Sequence, residues 1–260
     1  MQAERLHEDF AAEIRGINLI DVVTDQSVYE AFGPLEITKP GAVGTGTVYA
    51  HITNIGADGK TVKADDHLAL VVAANQLWHT DSSFKKTPAL ASMLGARIVP
   101  RGNSETQFVS TRAAWARLSD SDRHDLQGLV VEHNYLFSRE QIDPHMVSAE
   151  ERALLPGVRR RMTWLNPVTG QHALYVASHA GRIDGMNDEK ARALLSGLID
   201  HCTVPKHVYR HIWQAGDAVL WDNRATMHRG VPWPLNEPRL SIRTTISACE
   251  RDGLASVLVH

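Results

Sequence analysis

Two histidines and one aspartate, His79, Asp81 and His228, are the side chains of this sequence best suited to metal chemistry. Two imidazoles and one carboxylate can occupy one face of an octahedral metal ion and leave the opposite positions open. Non-haem Fe(II) oxygenases have this ligand set, because the open positions bind a cosubstrate and dioxygen. The residue types therefore predict an iron enzyme, provided that the fold brings His228 to the other two.

The short motif is weak by itself, because the chain has 14 histidines and contains a second triplet of the same form, His7-Glu8-Asp9. That triplet lies in a charged N-terminal stretch, and we interpret it as surface charge. His79 instead follows the apolar run 68–72 and the pair Leu77-Trp78. We predict that a buried strand delivers His79 to the rim of a sheet. A polar pair at a strand end, without metal, is the alternative for His79 and Asp81 alone.

Composition limits the class of protein. The chain has 260 residues, of which 43% are hydrophobic and 22% charged, so we expect one soluble globular domain spanning residues 1–260. The net charge is −3 and no basic cluster exceeds residues 159–161, so nucleic acid is not an expected partner. We interpret that arginine triplet as a solvated strand face or loop. No apolar run approaches the roughly 20 residues of a membrane span, so no membrane partner is expected.

Two features favour a cytoplasmic location. The first ten residues have no apolar core of the kind found in signal peptides. Cys202 and Cys249 are isolated thiols without the spacing of a metal site, which is typical of a reducing compartment. The sequence leaves the oligomeric state open and is compatible with a homo-oligomer.

Alternating apolar and polar residues predict a mainly β fold. The predicted strands are residues 90–99, 105–109, 162–165, 173–176, 207–213, 218–221 and 239–248. Ser119 is a candidate N-cap for a helix around residues 120–130, and residues 188–201 have the spacing of an amphipathic helix. Many strands with few helices predict a double-stranded β-helix (jelly roll) with flanking helices.

The last predicted strand places Arg239, Ser241, Arg243 and Thr245 on one face. A planar guanidinium matches a carboxylate through two hydrogen bonds, so two arginines on one face could hold a dicarboxylate cosubstrate and an anionic substrate. A solvated face of an antiparallel strand is the alternative. His228 follows the strand 218–221, and we expect it on a loop beside that strand.

Taken together, these motifs resemble the taurine dioxygenase / 2,4-dichlorophenoxyacetate dioxygenase family of Fe(II)- and 2-oxoglutarate-dependent oxygenases. The matching segments are residues 31–36, 75–84 and 221–229, with Arg239 and Arg243 beyond them. The stretch from 164 to 181 is more similar to the phenoxyacetate branch than to the taurine branch. The resemblance covers most of the chain.

Transferred residue by residue, the resemblance makes His79, Asp81 and His228 the iron ligands and the catalytic centre. Thr106 and Arg239 match the pair that binds the distal carboxylate of 2-oxoglutarate. The family usually has a helix and a core strand between its opening strand, matched here by residues 16–19, and the landmark at 32–34. Only residues 20–31 remain for both, which is too short.

The same transfer concerns the substrate side. Arg243 matches an arginine near the cosubstrate and the anionic group of the substrate, and Asn75 and His51 fall near positions that line the substrate side. Trp221 and Asn223 are expected to pack behind the ligands.

The implied reaction couples dioxygen and 2-oxoglutarate to hydroxylation of a small anionic substrate, an aryloxyalkanoate such as a phenoxyacetate, with release of succinate and CO2. Three alternatives remain. The substrate could be a sulfonate or an alkyl sulfate. The site could bind Zn(II) and activate water for hydrolysis. The protein could also be a catalytically inactive metal-binding jelly roll, given the shortened N-terminal region.

Overall fold

The structure, a computed structural model, describes residues 2–15, 33–39, 42–102 and 104–259. The expected opening strand at 16–19 and the short interval 20–31 lie outside these ranges. Within the described ranges, no helix is both long and apolar enough to cross a bilayer.

Strands dominate the described part of the chain. The strands are β1 Gln2–Arg5, β2 Ala12–Arg15, β3 Ala50–Thr53, β4 Ala89–Ile98, β5 Glu105–Ser110, β6 Val130–His133, β7 Val158–Arg161, β8 Thr163–Leu165, β9 His172–Leu174, β10 Ala180–Ile183, β11 Val208–Ile212, β12 Ala218–Asp222, β13 Thr226–Gly230 and β14 Leu240–Ser247. The helices are α1 His67–Ala74, α2 Thr111–Arg117, α3 Asp120–Gln127, α4 Tyr135–Arg139, α5 Ala149–Leu154 and α6 Asp188–Cys202.

Two antiparallel sheets form the centre of the fold. The larger has the strand order β12-β4-β14-β3, and the smaller has the order β11-β5-β13. Their facing sides share one apolar cluster, in which Leu94 of β4 and Trp221 of β12 pack with Phe108 of β5. Neighbouring strands in these sheets come from distant parts of the chain, so the fold can bring together residues that are far apart in sequence.

Helices cover the other side of the smaller sheet. Val109 of β5 and Met227 of β13 belong to a second cluster with Ala114 of α2 and Leu195 of α6. Phe108 and Val109 therefore point to opposite sides of the sheet, as the period of two in a strand requires. Two facing antiparallel sheets with outer helices are the mainly β arrangement that the sequence predicts.

One predicted element is wrong, and the helix predicted after Ser119 is present but ends earlier than expected. Residues 68–72 lie in helix α1 and not in a strand, because the Asp66 carboxylate accepts a hydrogen bond from the Leu68 amide at 2.8 Å and caps the helix. A short apolar run does not distinguish a helix from a buried strand. The helix after the Ser119 cap ends at Gln127, and Val130 begins strand β6.

The arginine triplet at 159–161 is only partly solvated. Arg160 is 1% exposed. Its Nη2 donates to the carbonyl oxygen of Lys86 at 2.9 Å and also to that of Lys85. This arginine therefore helps to hold the segment that follows Asp81, and the interpretation as a solvated strand face or loop is wrong for Arg160.

Candidate active site

A main-chain bridge joins the two histidines. The His79 amide donates to the His228 carbonyl at 3.0 Å, and the His228 amide donates to the His79 carbonyl at 2.8 Å. The imidazole centroids lie 4.2 Å apart. His228 belongs to strand β13, which pairs along its length with β5, so the expectation of a loop position is wrong. His79 extends the same sheet although a helix and a turn precede it.

Asp81 completes a three-residue cluster with these histidines. Potential ligand atoms of all three side chains lie within 4.8 Å of one another, and all three residues are buried. Nε2 of His228 is 3.8 Å from Oδ2 of Asp81. The structure therefore brings together the three residues that the sequence predicts as metal ligands.

The protonation states suit a divalent metal ion. Burial lowers the pKa of His79 and places the pKa of His228 well below its ordinary value, so both imidazoles are neutral at neutral pH. Nδ1 of His79 lies 2.7 Å from the Leu77 carbonyl oxygen and donates a hydrogen bond to it. The lone pair of Nε2 is then available to bind a metal ion. Burial opposes ionisation of Asp81, but the Arg243 guanidinium and the hydrogen bond from the Ser92 hydroxyl favour the carboxylate, so the pKa of Asp81 is lowered. Neutral imidazoles and a carboxylate are the forms that bind metals.

A hydrogen-bonded chain fixes Asp81 from behind. Oδ1 of Asn223 accepts from the Asp81 amide at 3.2 Å and from the Trp221 indole at 3.0 Å. Nδ2 of Asn223 donates to the Ser92 hydroxyl at 2.9 Å, and that hydroxyl donates to Oδ2 of Asp81 at 2.7 Å. Trp221 and Asn223 thus occupy the supporting position expected from the sequence. Ser92 was missed, because a serine within an apolar strand gives no signal.

Arg243 is engaged with the same carboxylate. Its Nη1 donates to Oδ1 of Asp81, and its buried Nε has no partner within the described residues. Ser241 and Thr245, on the same face of β14, are also buried. The alternative of a solvated strand face is therefore wrong.

Arg239 is a buried cation. It is 4% exposed, and its guanidinium lies 4.6 Å from the ring centroid of Trp233. Burial lowers the pKa of Arg239 to about 10. No carboxylate of the described ranges pairs with it, and an unpaired buried charge is costly unless a ligand completes it. This arginine fits a carboxylate brought by a small molecule.

Thr106 is the second residue predicted to bind that carboxylate. It is buried on β5, and its hydroxyl oxygen accepts a hydrogen bond from the Trp213 indole at 2.9 Å. The hydroxyl can still donate its own proton to an anion. Neither Thr106 nor Arg239 lines the cavity that His79 and Asp81 border.

A cavity of about 120 Å³ opens beside the cluster. Its walls include the predicted site residues His79, Asp81, Arg243, Asn75 and His51. Apolar side chains form another part of the wall, among them Ile52, Leu68, Val71, Val72 and Phe84. A ligand there would meet both an apolar surface and charged groups.

Two cavity residues were missed at the sequence level. His179 is buried and contacts the His79 ring edge-to-face, with the centroids 6.2 Å apart. Burial places the pKa of His179 well below its ordinary value, so it is neutral. Arg139 lies at the end of α4 and is also buried. The resemblance at 164–181 includes His179 without indicating its position, and no pattern in the sequence points to Arg139.

The three-residue cluster could hold a divalent metal ion, and the buried Arg239 could bind an anionic ligand. The chain also matches, over residues 3–245, the sequence model of the family described as "Taurine catabolism dioxygenase TauD, TfdA family". Since this match covers most of the chain, the protein belongs to the TauD/TfdA dioxygenase family.

Similar proteins agree with this membership. The chain is 38% identical over 196 residues to the alpha-ketoglutarate-dependent 2,4-dichlorophenoxyacetate dioxygenase of Burkholderia sp. (strain RASC), covering 75% of this chain and 66% of that relative, just under two thirds of its length. It is 27% identical to the alpha-ketoglutarate-dependent sulfate ester dioxygenase of Pseudomonas putida, over 91% of this chain and 86% of the relative.

A solved structure shares the whole architecture. The structure of AAD-2 in complex with Mn(II) and N-oxalylglycine superposes with a TM-score of 0.85 at 30% identity, covering 97% of this chain and 99% of that one. This match confirms the predicted jelly-roll class.

Proposed function

We propose that this protein is an Fe(II)- and 2-oxoglutarate-dependent dioxygenase that hydroxylates a small aryloxyalkanoate such as phenoxyacetate, with release of succinate and CO2. The convergence of neutral His79 and His228 on the ionised Asp81 is the main observation behind the proposal. The similarity to a 2,4-dichlorophenoxyacetate dioxygenase and to a protein solved with N-oxalylglycine supports it.

The residues present fit both groups. His79, Asp81 and His228 would hold Fe(II) and leave other coordination positions free. Arg239, which lacks an anionic partner in the described part of the chain, would bind the far carboxylate of 2-oxoglutarate together with the Thr106 hydroxyl. When bound, iron and 2-oxoglutarate supply the oxidising chemistry that breaks a C–H bond. The protein contributes position, charge and exclusion of water.

The cavity supports an aryloxyalkanoate as the substrate class. Its apolar wall can accept an aromatic ring, while the Nε of Arg243, beside the Asp81 carboxylate, has no partner in the described ranges. Asn75 and His51 are proposed to line the substrate side. A substrate held by its carboxylate presents one carbon to the metal, and fixed orientation is a large contribution to rate. Hydroxylation next to the ether oxygen gives a hemiacetal, which collapses to a phenol and an oxoacid.

An alkyl sulfate or sulfonate is the second candidate substrate. A guanidinium binds sulfate much as it binds a carboxylate, and the similarity to the Pseudomonas sulfate ester dioxygenase favours this candidate. A zinc hydrolase fits less well, because water activated by zinc needs no carboxylate cosubstrate that would pair with the buried Arg239.

Two measurements test the proposal. Anaerobic addition of Fe(II) and 2-oxoglutarate to the full chain should give a weak visible metal-to-ligand charge-transfer band. Succinate release should then be measured with phenoxyacetate, an alkylsulfonate and an alkyl sulfate. A band followed by succinate release with phenoxyacetate supports the proposal, whereas release only with a sulfate ester selects the second candidate. Absence of the band contradicts both.

We also propose that residues 1–260 act as one domain in a reducing cytoplasm, where the free thiols Cys202 and Cys249 stay unpaired. The proposed partners are small molecules: the anionic substrate, 2-oxoglutarate and dioxygen.

A further inference from the structure

Four lysine and arginine side chains of the described residues line the cavity beside the metal cluster: Lys39, Lys85, Arg139 and Arg243. Three of them are paired with carboxylates. The pairs are Lys39 with Glu151 at 2.6 Å, Lys85 with Glu36 at 2.7 Å, and Arg243 with Asp81. A cation already paired with a protein carboxylate has less attraction left for a ligand.

Arg139 differs from the other three. It is 8% exposed, and no carboxylate in the described ranges lies within ion-pair distance of it. Its buried Nε has no partner among the residues that the structure describes, and its Nη1 makes one long hydrogen bond, 3.3 Å, to the Ser138 hydroxyl. Its guanidinium carbon lies 4.5 Å from the ring centroid of Tyr135, so stacking fixes the fork. Burying an unpaired charge is unfavourable, and a ligand anion would compensate for it.

Arg139 also lies in the wall of the cavity that holds the metal cluster. It lines the same cavity as His79 and His179. A ligand group bound to this guanidinium would therefore lie in the cavity that the metal cluster, Val71 and Val72 also line. A small substrate whose anionic group binds Arg139 would have its remaining atoms beside the metal cluster.

We infer that Arg139 is the main anchor for the anionic group of the substrate. Arg243 then has a secondary part, because its Nη1 donates to Asp81 and only its buried Nε lacks a partner within the described part of the chain. The inference rests on the proposed function and deepens it, since it names the residue that selects an anion over a neutral aryl ether. Arg139 would form charge-assisted hydrogen bonds to two oxygens of a carboxylate or sulfate.

The test compares Arg139→Gln and Arg139→Lys with the wild-type protein, each loaded anaerobically with Fe(II) and 2-oxoglutarate. Binding is measured by calorimetry with phenoxyacetate, pentyl sulfate and the neutral 2-phenoxyethanol. We expect Arg139→Gln to weaken binding of whichever anion the wild type binds more tightly. The expected loss is about 10- to 100-fold, the range for losing a hydrogen bond between charged groups. Arg139→Lys should recover part of this loss, and the affinity for 2-phenoxyethanol should not change.

Arg182→Gln is the matched control. Arg182 also lies over an aromatic ring of α4, that of Phe137, at 5.8 Å, but its side chain is 60% exposed and does not line the cavity. This variant should bind both anions like the wild type. The charge-transfer band with 2-oxoglutarate should persist in all variants.

The outcomes separate the anchor from its alternatives. Unchanged anion affinity in Arg139→Gln overturns the inference, and so does a wild-type protein that binds neither anion. A purely structural arginine would instead lower the melting temperature and weaken the band when replaced. Removal of an unpaired buried charge should leave the melting temperature equal or higher. A missing band in the wild type would refute the proposed function, while calorimetry would still report on Arg139.

Discussion

His79 and His228 form an antiparallel bridge in which each residue's amide donates to the other's carbonyl oxygen, at 3.0 and 2.8 Å. The separation of the two imidazoles is therefore set by the main chain of one sheet, and it does not depend on a flexible loop. A metal ion bound there meets two donors that are already in position. Less ordering is then needed on binding, since the backbone is fixed before the metal arrives.

His228→Ala should abolish Fe(II) binding, because two of the three ligands then remain and the open imidazole position cannot be filled by the neighbouring Phe108 or Trp221 rings. The measurement is the charge-transfer band with 2-oxoglutarate, together with the iron content after gel filtration. His7→Ala is the control, because His7 belongs to the other His-x-Asp triplet of the sequence. A His228→Ala protein that keeps stoichiometric iron would refute the ligand assignment.

Ser92→Ala should weaken Fe(II) binding about 10- to 100-fold, the usual effect of removing a residue that orients a metal ligand. The substitution deletes the 2.7 Å hydrogen bond to Asp81 and the acceptor for Asn223. Metal titration followed by the charge-transfer band measures the effect. Ser104→Ala is a suitable control, because the Ser104 hydroxyl is buried without a partner in the part of the chain that the structure describes. Equal Fe(II) affinity in both variants would show that the hydrogen bonds of Ser92 with Asp81 and Asn223 do not affect metal binding.

Arg239→Met should raise the KM for 2-oxoglutarate strongly and leave Fe(II) binding nearly unchanged. The reason is that Arg239 contacts no metal ligand and is proposed to bind the far carboxylate of the cosubstrate. The same substitution should keep or raise the melting temperature of the protein without ligands, since methionine replaces a charged group whose burial is unfavourable and lowers the pKa of Arg239 to about 10. A lower melting temperature with an unchanged KM would mean that Arg239 is structural.

The sequence predicts some of these features much better than others. Strands β11 and β14 follow from alternation of apolar and polar residues, which reports directly on a two-sided sheet. Strand β4 alternates more loosely, and β12 is a short apolar run that follows a turn-rich segment. The metal ligands follow from residue types together with the family resemblance. Residues 68–72 were misassigned because helix and strand give the same short apolar run, and only the Asp66 cap distinguishes them.

The missed site residues have a common cause. Ser92 lies on a strand and contacts Asp81, whereas Arg139 and His179, on a five-residue helix and a connecting segment, line the cavity. Each reaches the site only through tertiary packing. None belongs to a spacing pattern that local periodicity could detect. The pairing of Arg243 with Asp81 is likewise invisible in the sequence, because it joins a strand of the larger sheet to the loop after His79.

Acid should destabilise the protein through His133, a fully buried histidine outside the proposed active site. Burial and the nearby Arg160 charge lower the pKa of His133 to about 3, from an ordinary value of 6.5. A group with a lowered pKa in the folded state stabilises the protein above pH 6.5, and this contribution is lost as the pH falls towards 3. The loss amounts to about 1.4 kcal/mol per pH unit for one proton bound only by the unfolded chain.

His133→Phe should therefore reduce the slope of unfolding free energy against pH by about 1.4 kcal/mol per pH unit, the contribution of one proton, between pH 6.5 and pH 4. Phenylalanine keeps a ring that can stack on Tyr175, which His133 does at a centroid distance of 5.4 Å. Urea unfolding at several pH values measures the slope, and His124→Phe, on the exposed helix α3, is the control. His79, His179 and His228 keep their own lowered pKa values, so some acid sensitivity should persist in the variant. An unchanged slope in His133→Phe would mean that His133 binds its proton equally well in the folded and unfolded chains.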